Sequence, residues 1–297
     1  MRFVVICLLL NLTGAMAAPL SVQLRCDKDT YLVYEAIPVV VSLHNYSGRT
    51  IQIDETDQRS SLEFVVTSES GQMIPAFGRP RFGQPVIIPS GQTVSQTINL
   101  LPLFELRQRG TYRVRAVVRS ETGTVESSPV RFTLINGREL WSQVVGLPVS
   151  DNEPEQYRTY VLVAGRGQRG DTLYVSVRDD PHSTVYSLVP LGDFLSTLQP
   201  QARVDHGGNL HVLFQNGPRS FGYVQIDPFA RPVTQAAYSD FSSTPTLTVG
   251  DGEVSVTGGE QTYPKVERIM TDRELNPPPP SPPPKSKRRW WWPFGSK

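Results

Sequence analysis

From Leu20 to about Leu134, apolar side chains recur at every second position, a spacing that puts one side of each segment in a core and the other in water. Ile37, Val39, Val41 and Leu43 alternate with Pro38, Val40, Ser42 and His44; Leu62, Phe64 and Val66 alternate with Glu63 and Val65. The clearest run sets Tyr112, Val114, Ala116 and Val118 against Arg113, Arg115, Val117 and Arg119. Turn-forming clusters such as NYSGR, SESGQ, PSGQ and RQRG separate the runs. Short strands divided by turns over about a hundred residues predict an antiparallel β-sandwich over 18–137.

The succession LEFVVTSESGQMI, IIPSGQTVSQTINL and RGTYRVRAVV resembles the Ig-like sandwich of many exported bacterial proteins, and is similar to the intracellular proteinase inhibitor type of domain. The resemblance implies that Tyr112, following Gly110, ties its strand to the preceding turn, as a tyrosine corner does. It implies no particular function, because such sandwiches serve as spacers, binders and inhibitors. Within this region PAFGRPRFGQP interleaves Phe77 and Phe82 with Arg79 and Arg81, residue types enriched where proteins bind one another. It is a candidate binding loop, against the plainer expectation that its phenylalanines fold back onto the sandwich.

The alternation lapses at INGRELWSQVVGLPVSDNEPEQ, so residues 138–156 are expected to form a linker, with Trp141 packing against the first sandwich and stiffening the joint. Beyond it, Gly165, Gly167 and Gly170 satisfy the spacing of a dinucleotide-binding loop. That chemistry needs a helix after the glycines, whereas Leu173, Val175 and Val177 alternate as a strand, so the glycines predict a hairpin turn. Arg169, Gly170 and Asp171 also spell a cell-adhesion tripeptide on the same turn.

The segments QPQARVDHGGNLHVLFQ and STPTLTVGDGEVSVTG share a layout of proline, strand, Asp/Gly turn and strand. This resembles part of a β-propeller blade, and residues 157–260 are expected to form an incomplete propeller-like meander with edges covered by the first domain or by a second chain. The predicted fold class is therefore all-β, with an Ig-like sandwich followed by this meander.

Little of the chain suggests catalysis. His206, His211 and Asp205 form a cluster of metal-ligand types, but positions five apart on a strand point to opposite faces, so no metal site is expected; His206 is read as a turn histidine and His211 as a surface or lining one. Cys26 has no partnering base in a recognisable signature, and no serine lies in an activated context. No catalytic residue, cofactor or metal is assigned. Formal net charge is +1, which gives no whole-chain field for nucleic acid.

Both ends carry signals. Arg2, the apolar run Phe3–Leu10 and Ala15-Met16-Ala17 predict a signal peptide over 1–17, hence export to the periplasm or medium. Of the two cysteines Cys7 leaves with it, so the mature chain has no internal disulfide, which favours a bacterial source for a chain this long. Asn45-Tyr46-Ser47 is a glycosylation sequon that matters only in a eukaryotic host.

After a short helix expected over 261–275, residues 276–297 form a proline-rich, basic, tryptophan-rich tail expected to be disordered. Its proline run favours an extended rod that holds the last residues roughly 20–25 Å from the folded body. Lys285, Lys287, Arg288 and Arg289 suit an anionic surface, and Trp290, Trp291, Trp292 and Phe294 suit a membrane-water interface or a protein pocket. The sequence thus predicts a non-enzymatic, exported binding or scaffolding protein whose partner is an envelope component, an anionic membrane surface or a protein. The alternative is a protease inhibitor working through the loop at Phe77–Phe82.

Overall fold

In a computed structural model, described over residues 19–54, 60–121, 123–147, 156–167, 170–179 and 185–262, the predicted alternation becomes strand pleat throughout. The signal peptide, Arg169 of the adhesion tripeptide and the tail lie outside the described residues. The first half contains β1 (Leu20–Cys26), β2 (Thr30–Leu32), β3 (Pro38–Asn45), β4 (Ile51–Ile53), β5 (Ser61–Ser68), β6 (Val86–Ile88), β7 (Thr93–Asn99), β8 (Gly110–Ser120), β9 (Gly123–Glu126) and β10 (Val130–Ile135). A three-stranded sheet, β1-β3-β7, faces a sheet ordered β2-β10-β8-β5, with β9 paired to β8 and β4 to β6. Among the described residues only the β2–β10 pairing is parallel.

The two sheets share one core, because the period-two residues of facing strands point at each other. Ile37, Val39, Val41 and Leu43 meet Leu62, Phe64 and Val66 and the Tyr112, Val114, Ala116, Val118 row, all buried. Tyr112 stacks on Phe132, with ring centroids 5.6 Å apart, and donates its hydroxyl to the Gln108 carbonyl at 2.8 Å. That bond makes the tie to the preceding turn that the sequence implied. Asn45 of the sequon is wholly buried, and its amide donates to the carbonyls of Arg49 (2.7 Å) and Ile88 (2.8 Å). A glycan on that nitrogen is incompatible with this core.

The expected linker is a correction. Residues 138–146 form β11 (Arg138–Gly146), which pairs with β12 (Tyr157–Arg166), followed by β13 (Asp171–Arg178) and β14 (Val185–Phe194) in a four-stranded antiparallel meander. The register slips between Glu139 and Trp141, so Leu140 and Trp141 are neighbours in sequence yet both pack on the second core, as does Val145. This bulge breaks the period of two and hides the strand. Trp141 accordingly packs on the second core, not on the first sandwich.

The chain continues through β15 (Gln201–Val204), β16 (Leu210–Gly217), β17 (Ser220–Ile226), β18 (Pro232–Ser239), β19 (Thr246–Gly250), β20 (Glu253–Thr257) and β21 (Glu260–Thr262). The second meander is ordered β15-β16-β17-β18-β21, and β19-β20 is a separate hairpin. Gln261 and Thr262, expected to begin a helix, instead pair with β18; the remainder of that expected helix lies outside the described residues.

The two meanders pack face to face, Leu162, Leu173 and Val175 meeting Leu210, Val212 and Phe214. The β19-β20 hairpin covers the other face of the second meander, where Leu247 and Val254 meet Leu213, Phe221 and Tyr223.

Glycines join the halves. Leu32 of β2 lies where a Cβ on Gly165 would come within 2.8 Å of it, and a Cβ on Gly137 would meet Val163 at 2.1 Å. Across the same seam Tyr174 donates its hydroxyl to Glu35 at 2.8 Å, and Glu35 also pairs with Lys28. The glycine spacing that mimics a dinucleotide loop therefore has two structural uses. Gly165 admits Leu32, and the Gly167 amide donates to the Gly170 carbonyl at 2.6 Å to close the β12–β13 turn.

Candidate functional site

The loop between β5 and β6 is fixed at its base by backbone pairing, since Ala76 bridges Phe104 and the Phe77 amide donates to the Leu103 carbonyl at 2.8 Å. Its prolines remove amide donors that would otherwise need partners. Pro80 is buried and Phe82 packs on the first core, so half of the loop folds back onto the sandwich. The other half faces water: Phe77 is 64% exposed, and Arg79 and Arg81 are exposed.

Phe77 and Arg79 come together around a cavity that Glu63, Phe64, Leu103 and Phe104 help to line. Arg81 and Phe82 do not line it. Arg79 lies 3.4 Å from a Glu63 carboxylate oxygen that also receives a bond from Arg119 at 3.2 Å. Glu63 and Arg119 are additions to the residues singled out from sequence; only the β5–β8 register, Glu63 beside Val117 and Leu62 beside Val118, brings them together. The site offers an exposed ring at Phe77 beside the Arg79–Glu63 ion pair, residue types suited to recognising a partner.

The second cluster centres on His211. Asp205 and His211 are brought within 3.0 Å through Nε2, and His211 Nδ1 lies 2.7 Å from the Tyr223 hydroxyl. Burial tends to raise the Asp205 pKa, but bonds from His211 and from the side chain and backbone of Asn209 outweigh it and hold the carboxyl below its usual range. An ionised carboxylate only accepts, so His211 Nε2 donates to it. In the neutral ring Nδ1 then accepts the Tyr223 hydroxyl. Burial, with Tyr238 and Asp205 nearby, raises the Tyr223 pKa and keeps it a phenol.

His211 is 3% exposed, whereas the sequence suggested a surface or lining residue. The β19-β20 hairpin that covers this face accounts for the difference, and no local signal in the sequence foretells it. Sequence reasoning also misses Tyr223, which reaches His211 diagonally across the β16–β17 register, where Leu213 opposes Tyr223 and His211 opposes Gln225.

His206 goes elsewhere, its Nδ1 lying 3.0 Å from Glu253 and 3.2 Å from the Gly252 carbonyl. The two histidines therefore diverge, and among the described residues no group of three or more His, Cys, Asp and Glu is arranged to hold a metal. The turns of the two repeated segments touch at this point, the His206 amide donating to the Gly252 carbonyl at 3.0 Å.

Cys26 ends β1 with its thiol pushed up to about 11, by burial first and then by Asp27 and Asp29. It stays a protonated thiol at neutral pH, which makes it a poor nucleophile. Lys285, Lys287, Arg288, Arg289, Trp290, Trp291, Trp292 and Phe294 lie outside the described residues.

No family model matches the chain, and no curated protein does. Among solved structures, red sea bream transglutaminase is similar over 66% of this chain and 29% of its own, at 14% identity and a TM-score of 0.28. The chain thus spans less than a third of that protein's length.

Proposed function

We propose that this is an exported, non-enzymatic binding or scaffolding protein, periplasmic or secreted, whose C-terminal tail attaches it to an anionic envelope surface. In this reading the first half is an Ig-like module, and the second is two consecutive blade-like meanders capped by a hairpin. The observation that carries it is the order of features after β21: seven prolines within Pro277–Pro284, then four cations between Lys285 and Arg289, then three tryptophans and Phe294. Each cation near a charged bilayer contributes about 1 kcal/mol, and tryptophan favours the interface. The described chain ends on β21, the outermost strand of the second meander.

Two features of the folded part support a scaffold rather than a catalyst. The Asp205–His211–Tyr223 chain is buried and has both imidazole nitrogens engaged. The seam at Leu32, Gly165 and Glu35 couples the halves into a body that can carry a tip. Deleting Lys285–Lys297 from the mature protein tests the reading, with co-sedimentation on anionic vesicles and cell-wall material as the readout. Loss of partitioning is expected; unchanged partitioning contradicts the surface role.

A second reading, protease inhibition, is favoured by the loop at Phe77, which is held at its base and by Pro80 and Phe82 while presenting an exposed ring. Assaying the protein against a panel of envelope proteases tests it. Absence of inhibition at micromolar protein removes it.

A further inference from the structure

Where the halves meet, a cavity of about 380 Å³ opens over the outer face of the first meander. Its floor is apolar, made by Val161 and Val163 of β12 and Leu188 of β14, and Leu32 walls it from the first half. Small-molecule sites favour such seams, and this volume falls in their range of roughly 300–1,000 Å³.

The charges around it are unusual. Arg107 reaches it from the first half and Arg178 from β13, and neither makes an ion pair among the described residues. Ser176 accepts from Arg178 Nε at 3.4 Å, which leaves the terminal guanidinium nitrogens for another partner. Glu139 is the one carboxylate in the lining, and it is exposed, so two cations against one anion leave the cavity with a formal charge of +1.

One further observation is independent of that charge. Tyr34 lines the cavity, at φ 72° in the left-handed region that a tyrosine seldom enters. Glu35 holds that turn, accepting from the Leu32 amide at 2.7 Å while its own amide donates to the Leu32 carbonyl at 3.0 Å. Backbone strain of this kind concentrates at ligand clamps.

We infer that the seam cavity binds a small amphipathic carboxylate. Its apolar body lies on Val161, Val163 and Leu188; its carboxylate accepts from Arg178, and Arg107 faces it from the first half. This site is separate from the tail and does not depend on its role.

Calorimetric titration of the full mature chain with octanoate tests the inference, with octanol as the uncharged control. Saturable binding at roughly 0.1–1 mM is expected for octanoate, with octanol much weaker. Arg178→Gln should weaken octanoate about tenfold, the loss expected for one charge-assisted contact. Leu188→Trp, which fills the floor, should abolish binding while leaving the thermal midpoint within a few degrees. Both variants keep the tail's cations, so either loss locates the ligand at the seam. Octanol binding as tightly as octanoate, octanoate affinity unchanged in both variants, or no saturation below about 10 mM overturns the proposal.

Discussion

His211 shows how one side chain can be misjudged from its neighbours in sequence. Asp205 is visible as a nearby acid, but the hydroxyl that completes the chain comes from Tyr223, and the cover comes from a hairpin some forty residues on. Tyr223→Phe removes the donor to Nδ1 and leaves a buried nitrogen unsatisfied, so chemical denaturation should show a loss of about 1–3 kcal/mol. Asp205 supplies a pH signature. Its folded pKa lies below the unfolded value near 3.9, so its stabilising contribution is complete above about pH 4 and is lost as pH falls through the folded pKa. In Asp205→Asn that acid-range slope should flatten, read from denaturation midpoints between about pH 2 and 5. An unchanged slope would mean that the carboxylate is not held as described.

Among the elements, the strands of the first sandwich are legible because their pleat is regular and one face is buried; Val39, Val41, Val114 and Val118 all lie where the alternation puts them. β11 is not legible, because the bulge at Leu140 puts two consecutive residues against the same core. Trp141→Ala should therefore destabilise the second half, by less than the ~3–5 kcal/mol of a fully buried tryptophan. Were 138–146 a linker, the cost would be close to zero. The glycine spacing marks a turn in the sequence alone, but the packing of Leu32 against Gly165 needs the three-dimensional seam to be seen. Gly165→Ala should cost about 1–3 kcal/mol through overlap with Leu32, and Leu32→Ala should relieve part of that cost in a double-mutant cycle. Additive losses would show that the two do not touch.

At the scale of the molecule, the all-β architecture follows from pattern alone, whereas the way the sheets close on one another does not. Their closure depends on contacts between residues far apart in sequence, such as Tyr174 with Glu35, which no local period encodes. Of the candidate binding residues, the exposed pair Phe77 and Arg79 is readable from composition; the inward turn of Phe82 needs the sandwich beneath it.

The proposed attachment through the tail can be tested directly, because tryptophan is scarce elsewhere in the chain. There are four tryptophans, of which Trp141 lies in β11 and the other three are Trp290, Trp291 and Trp292. In a Trp141→Phe background, fluorescence therefore reports the tail alone. Titrating that protein with phosphatidylglycerol vesicles should shift its emission to the blue, while phosphatidylcholine vesicles should not, and about 0.5 M salt should reverse the shift by screening the cations. Emission that stays at the water-exposed position with anionic vesicles at low salt would contradict the account.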